Sequence, residues 1–150
     1  MRWFILAIIT AFSGLLLYAM ETTPKMTETA TFAGGCFWCM ESPYEQLDGV
    51  LSVRVGYTGG HLDTPTYEAI STGKTGHVEA VIIVFNPKKI SYEKLLDVFW
   101  RQIDPTNDLG QFADFGNQYR TAIFYHSAAQ QKSADDSKSS LARSGRFDKP

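Results

Sequence analysis

Apolar and polar positions alternate along the chain in two periods, and their order predicts strands interleaved with helices. Thr29–Ala33 alternates and predicts a short strand, after which Gly34 and Gly35 turn the chain. Cys36–Leu47 then spaces Phe37, Met40, Tyr44 and Leu47 along one helical face, with Pro43 placed to kink that helix. Leu51–Tyr57 predicts a second strand, followed by the Gly59-Gly60 turn and a polar loop. Val78–Phe85 is apolar on both faces, as a central strand covered on two sides would be, and Asn86-Pro87 ends it. Ser91 is a good helix cap. Tyr92, Leu95, Leu96, Phe99, Trp100 and Ile103 follow as an apolar stripe down to Asp104-Pro105. Thr121–Tyr125 predicts a further short strand, with a weak helix expected beyond it. Such alternation in one small unit predicts an α+β domain, an α/β two-layer sandwich in which helices pack on a small mixed sheet.

Length and composition narrow this picture. A chain of 150 residues, 44% hydrophobic and 20% charged, is globular and holds one domain with a real core. A formal net charge of -2 gives no reason to expect a nucleic-acid partner. The first 20 residues stand apart. Arg2 precedes an uncharged run from Trp3 to Met20, which resembles a signal peptide or an N-terminal anchor. Leu17 sits where a cleavage site wants a small residue, so an uncleaved anchor or poorly marked signal is favoured, joined to the domain by the polar linker 21–28. An anchor of this charge pattern would hold the domain on the extracytoplasmic side. Translation from Met20 or Met26 would instead leave a soluble cytoplasmic protein.

Two cysteines, Cys36 and Cys39, are too few for a disulfide framework, and their spacing is that of redox or metal chemistry. Cys36 follows a glycine turn at a predicted helix start, where unpaired N–H groups and the helix dipole favour an anion and so suit a thiolate nucleophile. Cys39 lies one helical turn away, within reach of a disulfide, and could capture a sulfenic acid on Cys36. Three alternatives stand beside this reading. The pair could be inert and buried. It could bind zinc, although His61, His77 and His126 are scattered and supply no second close pair. It could be a thioredoxin-like dithiol, although there Trp normally precedes the first Cys, whereas here Phe37 and Trp38 lie between the two.

Longer blocks carry a more specific likeness. GGCFWCMES, GYTGG at 56–60, PTYEAISTGKTGHVEAV at 65–81, ISYEKLLDVFWRQIDPT at 90–106 and FADFGNQYRTAIFY at 112–125 resemble the methionine sulfoxide reductase A family, nearly continuously from Thr31 to Tyr125. The resemblance implies a ferredoxin-like two-layer sandwich and reduction of the S epimer of methionine sulfoxide, free or in proteins. Motif by motif, it implies Cys36 as the nucleophile on the sulfoxide sulfur, and Phe37 and Trp38 as an apolar wall for the substrate's methyl group. Glu79 in GHVEAV would hydrogen-bond and protonate the sulfoxide oxygen. Tyr67 in PTYEA and Tyr119 in GNQYR would assist at that oxygen, and Asp114 would help order the site.

Residue chemistry agrees on the need for an acid, because the sulfoxide oxygen cannot leave sulfur unprotonated. Glu79 starts an otherwise apolar strand, where it is either a desolvated acid or an exposed strand-end glutamate. Two departures from the family pattern matter. Its resolving cysteine is often in a C-terminal tail, but no cysteine follows Cys39, which is therefore the internal candidate. The chain also stops at FDKP, where family members usually continue through another strand and a tail, so it is either a short member or an incomplete sequence. The implied cycle needs no cofactor, only an external dithiol such as thioredoxin, and a monomer is expected. The competing functions are a general thiol-disulfide oxidoreductase and a non-catalytic redox sensor.

Overall fold

A computed structural model describes residues 27–149, and the proposed anchor at 1–20, most of the linker, and Met20 and Met26 lie outside the described residues. The polypeptide enters the domain on strand β1 (Glu28–Ala33). It continues through helix α1 (Phe37–Glu45), strand β2 (Val50–Thr58), the short helix α2 (Tyr67–Ser71) and strand β3 (Val78–Phe85). Helix α3 (Tyr92–Arg101) follows, then the two-residue strands β4 (Gly110–Gln111) and β5 (Asp114–Phe115), a 3-10 turn at Asn117–Tyr119, strand β6 (Ala122–Phe124) and helix α4 (Ala128–Ala142). The main sheet has the order β2-β3-β1-β6. Its pairings are antiparallel throughout, which corrects the mixed sheet expected from the sequence. The reason is topological: each helical crossover, β1 to β2 and β3 to β6, skips one place in the sheet, and an antiparallel strand fills the gap. That is the ferredoxin-like arrangement.

Strand parity divides the core. Val81, Ile83 and Phe85 of β3 share one face with Phe32, and there α1 and α3 bury Met40, Tyr44, Leu95, Leu96 and Phe99. Val78 and Ala80 face the other way, against Ala33, Ala122 and Phe124. Phe32 stacks on Phe99 at 5.1 Å and on Tyr44 at 5.8 Å, which ties both helices to the sheet centre. Helix α1 runs through Pro43 near its C-terminal end, so the missing N–H costs one bond without breaking the helix. Ser91 caps α3 as its sequence predicts, its hydroxyl accepting from the Lys94 N–H. Helix α4 is stronger than expected, and polar bonds hold it. The Trp100 indole donates to Ser137 at 2.6 Å, and the Gln130 amide donates to the Thr29 carbonyl at 2.8 Å. Among the described residues, no helix is long and apolar enough to cross a membrane.

Candidate active site

Gly34 and Gly35 bring β1 to the start of α1, and the local geometry leaves no alternative residue there. Gly35 has φ +90°, and a Cβ on it would lie 2.8 Å from the Gln111 Cβ. The expected result of Gly35→Ala is a loss of about 1–3 kcal/mol of stability. A displaced Cys36 would add a drop of about 100-fold in kcat/KM. Thermal unfolding beside steady-state kinetics checks both effects.

Cys36 is the N-cap of α1, half-buried, and its carbonyl accepts from the Cys39 and Met40 N–H groups. The N–H of Phe37, the first helical residue, donates 3.0 Å to Oε2 of Glu79. The acid and the thiol thus meet at one helix start. Strand parity explains the meeting: Glu79 lies on the same face of β3 as Val81 and Ile83, at the end that α1 begins over. Glu79 is 4% exposed, which rejects the exposed strand-end alternative. Burial first, and then Asp114, pushes its carboxyl above the ordinary glutamate value, while the Phe37 hydrogen bond partly opposes them. A raised carboxyl can stay protonated, one oxygen accepting from Phe37 and the other donating into the site.

Cys39 is exposed on the first turn of α1. Partial desolvation pushes its thiol up, and the neighbouring Cys36 adds to this. Cys36, at the N-cap with the free N–H groups of the first turn ahead of it, holds the position that favours a nucleophilic thiolate, and Cys39 the position of a second, exposed thiol. Among the described residues, no three ligands gather to hold a metal ion. The buried, inert reading fails, since Cys36 is half-buried and Cys39 exposed.

Phe37 is half-buried and packs 5.7 Å from Trp38, which stands 72% exposed, so the two rings form a wall that is open to solvent. Burial, followed by Glu79, Asp114 and Tyr67, raises the Tyr119 hydroxyl. The structure therefore gathers Cys36, Cys39, Phe37, Glu79, Asp114, Tyr67 and Tyr119 at one end of the sheet. Tyr67 is the loosest of them, exposed at the first position of α2.

Three further residues support this constellation without a sequence signal of their own. Tyr57 sits opposite Glu79 in the β2–β3 register, and its ring lies 5.6 Å from Phe37, behind the apolar wall. His77, buried, has Nδ1 3.3 Å from the Gly60 N–H and Nε2 within hydrogen-bond distance of both the N–H (3.3 Å) and the carbonyl (3.1 Å) of Leu62. It pins the loop that leads to Tyr67. Gln111, 1% exposed, accepts from the Asp104 N–H at 2.7 Å and donates to Thr121 Oγ1 at 3.0 Å, fixing the segment that carries Asp114. Only the GYTGG and GHVEAV blocks hinted at the first two.

The chain has relatives among known proteins. The family model described as peptide methionine sulfoxide reductase matches residues 28–150. The peptide methionine sulfoxide reductase MsrA of Ligilactobacillus salivarius is 55% identical over 123 residues, covering 82% of this chain and 72% of that one. Among solved structures, Mxr1 from Saccharomyces cerevisiae in reduced form superposes with a TM-score of 0.74 at 35% identity, covering 79% of this chain and 70% of that one. Mxr1 in complex with Trx2 superposes with a TM-score of 0.57 at 26% identity, covering 82% and 71%.

Proposed function

The chain belongs to the methionine sulfoxide reductase A family, and from that membership we propose how its own residues reduce the S epimer of methionine sulfoxide, free or in proteins. The observation that carries the reading is the buried Glu79 carboxyl hydrogen-bonded to the N–H next to Cys36. The Cys36 thiolate attacks the sulfoxide sulfur while Glu79, assisted by Tyr67 and Tyr119, protonates the oxygen. Phe37 and Trp38 hold the methyl group, and Asp114 orders the polar side. Methionine leaves with the electron pair gained at its sulfur, and Cys36 takes up the oxygen as sulfenic acid. The Cys39 thiol then displaces that oxygen as water, forming the Cys36–Cys39 disulfide. An external dithiol reduces the disulfide by exchange, and thiols alone balance the cycle. The complex of the yeast relative with Trx2 supports a thioredoxin-type donor. The chain is taken to work as a monomer. If residues 1–20 anchor it outside the cytoplasm, the donor is an extracytoplasmic dithiol of the same type.

The test is reduction of each sulfoxide epimer with dithiothreitol, where turnover of the S epimer alone is expected. Cys39→Ser separates the two halves of the cycle. It should still yield about one methionine per enzyme but stall with thioredoxin as reductant. Undiminished multiple turnover would reject Cys39 as the resolving thiol. Reduction of protein disulfides without any dependence on Glu79 would point instead to a general oxidoreductase.

A further inference from the structure

Phe112 is the only non-glycine residue with positive φ among the described residues, at 53°. Strands β4 and β5 pair Gly110 with Phe115 and Gln111 with Asp114, which leaves Phe112 and Ala113 as a two-residue turn. A hairpin turn with positive φ at its first central position alone has the type II′ pattern, and glycine normally fills that place. A bulky aromatic residue there is an outlier. Burial does not compensate for it, because Phe112 is 70% exposed, between Leu109 at 69% and Phe115 at 65%. The strain and the exposed apolar surface therefore coincide on one hairpin, and neither serves the domain's own packing.

That hairpin is fixed against the site. Buried Gln111 anchors its first strand beneath Gly35, and the Gly116 N–H closes its base on the Leu109 carbonyl at 2.9 Å. Asp114, whose charge reaches Glu79, Cys39 and Tyr119, lies between Phe112 and Phe115. We propose that Leu109, Phe112 and Phe115 form an apolar platform for the polypeptide carrying the oxidised methionine, gripping apolar residues that flank the sulfoxide in a locally unfolded segment. The proposal rests on the reading of Cys36 and Glu79 as the sulfoxide-reducing pair. An extended substrate advances ~3.3 Å per residue, so a sulfoxide seated beside Glu79 and Asp114 lays its near neighbours over the hairpin. Cys39, which the reductant must reach, is on α1 and the platform on the β4–β5 hairpin, so the two surfaces belong to different elements.

The experiment uses the full chain with dithiothreitol and two five-residue peptides, each with a central S sulfoxide. One has Leu and Phe flanks and the other Ser and Gly flanks. The readout is the ratio of their kcat/KM values. Phe112→Gly suits the turn, so the variant keeps its fold and melts no lower than the parent. Its apolar-to-polar ratio should fall roughly tenfold, as expected for losing one buried ring from the complex, and Phe115→Ser should move the ratio the same way. An unmoved ratio overturns the platform. So does a defect in Phe112→Gly that appears only when thioredoxin replaces dithiothreitol, which would assign the surface to the reductant. A parent enzyme that cannot reduce the free S sulfoxide would instead overturn the underlying function.

Discussion

Cys36→Ser is expected to lower kcat/KM for the S sulfoxide by at least about 10,000-fold, to the level of the uncatalysed reaction with dithiothreitol. Serine keeps the shape of the N-cap but offers no polarisable, two-electron reductant, and its oxygen cannot become a sulfenic acid. Cys39 cannot take over. It is exposed, partial desolvation raises its thiol with or without Cys36, and the N–H that meets Glu79 belongs to the residue after Cys36. Mass spectrometry after a single turnover gives the second readout. In Cys39→Ser the added oxygen should map to Cys36, and in Cys36→Ser no residue of the site should gain one. Retained turnover in Cys36→Ser would remove the nucleophile from this account.

The sequence makes the reactive half of this site legible because its signals are local. A glycine turn, a helix start and a cysteine three residues ahead of another specify a thiol chemistry without any tertiary knowledge. The two crossover helices were legible for the same reason, since α3 carries an apolar stripe between a serine cap and a proline. Glu79 was half legible. Its alternatives, acid or exposed strand end, are decided by strand parity, because the odd positions Val81, Ile83 and Phe85 face the helices and Glu79 continues that row. Helix α4 was underestimated because it has no stripe, burying only Gln130 and Ala134 and holding on by side-chain hydrogen bonds. The β4–β5 hairpin has two-residue strands, too short for any period to register. Tyr57 and His77 lie in the GYTGG and GHVEAV blocks but act through partners 15 to 20 residues away, and Gln111 through a loop no period marks, so the residues beside them do not say what they do.

Glu79→Gln should separate activity from stability in opposite directions. The amide keeps the size and can still accept from the Phe37 N–H, but it cannot donate a proton to the departing oxygen, so kcat/KM should fall about 100- to 10,000-fold. In the parent, burial and Asp114 raise the carboxyl, so its acid form persists to higher pH than in an ordinary glutamate. The pH–rate profile should therefore carry a limb that falls as pH rises through that raised value, and Glu79→Gln should lack the limb. The stability sign follows from the same shift. A carboxyl whose folded value lies above its unfolded value, about 4.3, binds its proton more tightly when folded. Its contribution is complete below the unfolded value and is lost as pH rises through the folded one, because folding must then bury a carboxylate. Glutamine never ionises, so the variant should melt at the same temperature as the parent or higher at neutral pH, with the gap closing below about pH 4. Thermal unfolding of both proteins across pH 3–8 measures this. A variant that melts well below the parent at pH 7 would show Glu79 to be a structural carboxylate and would remove the acid from the mechanism.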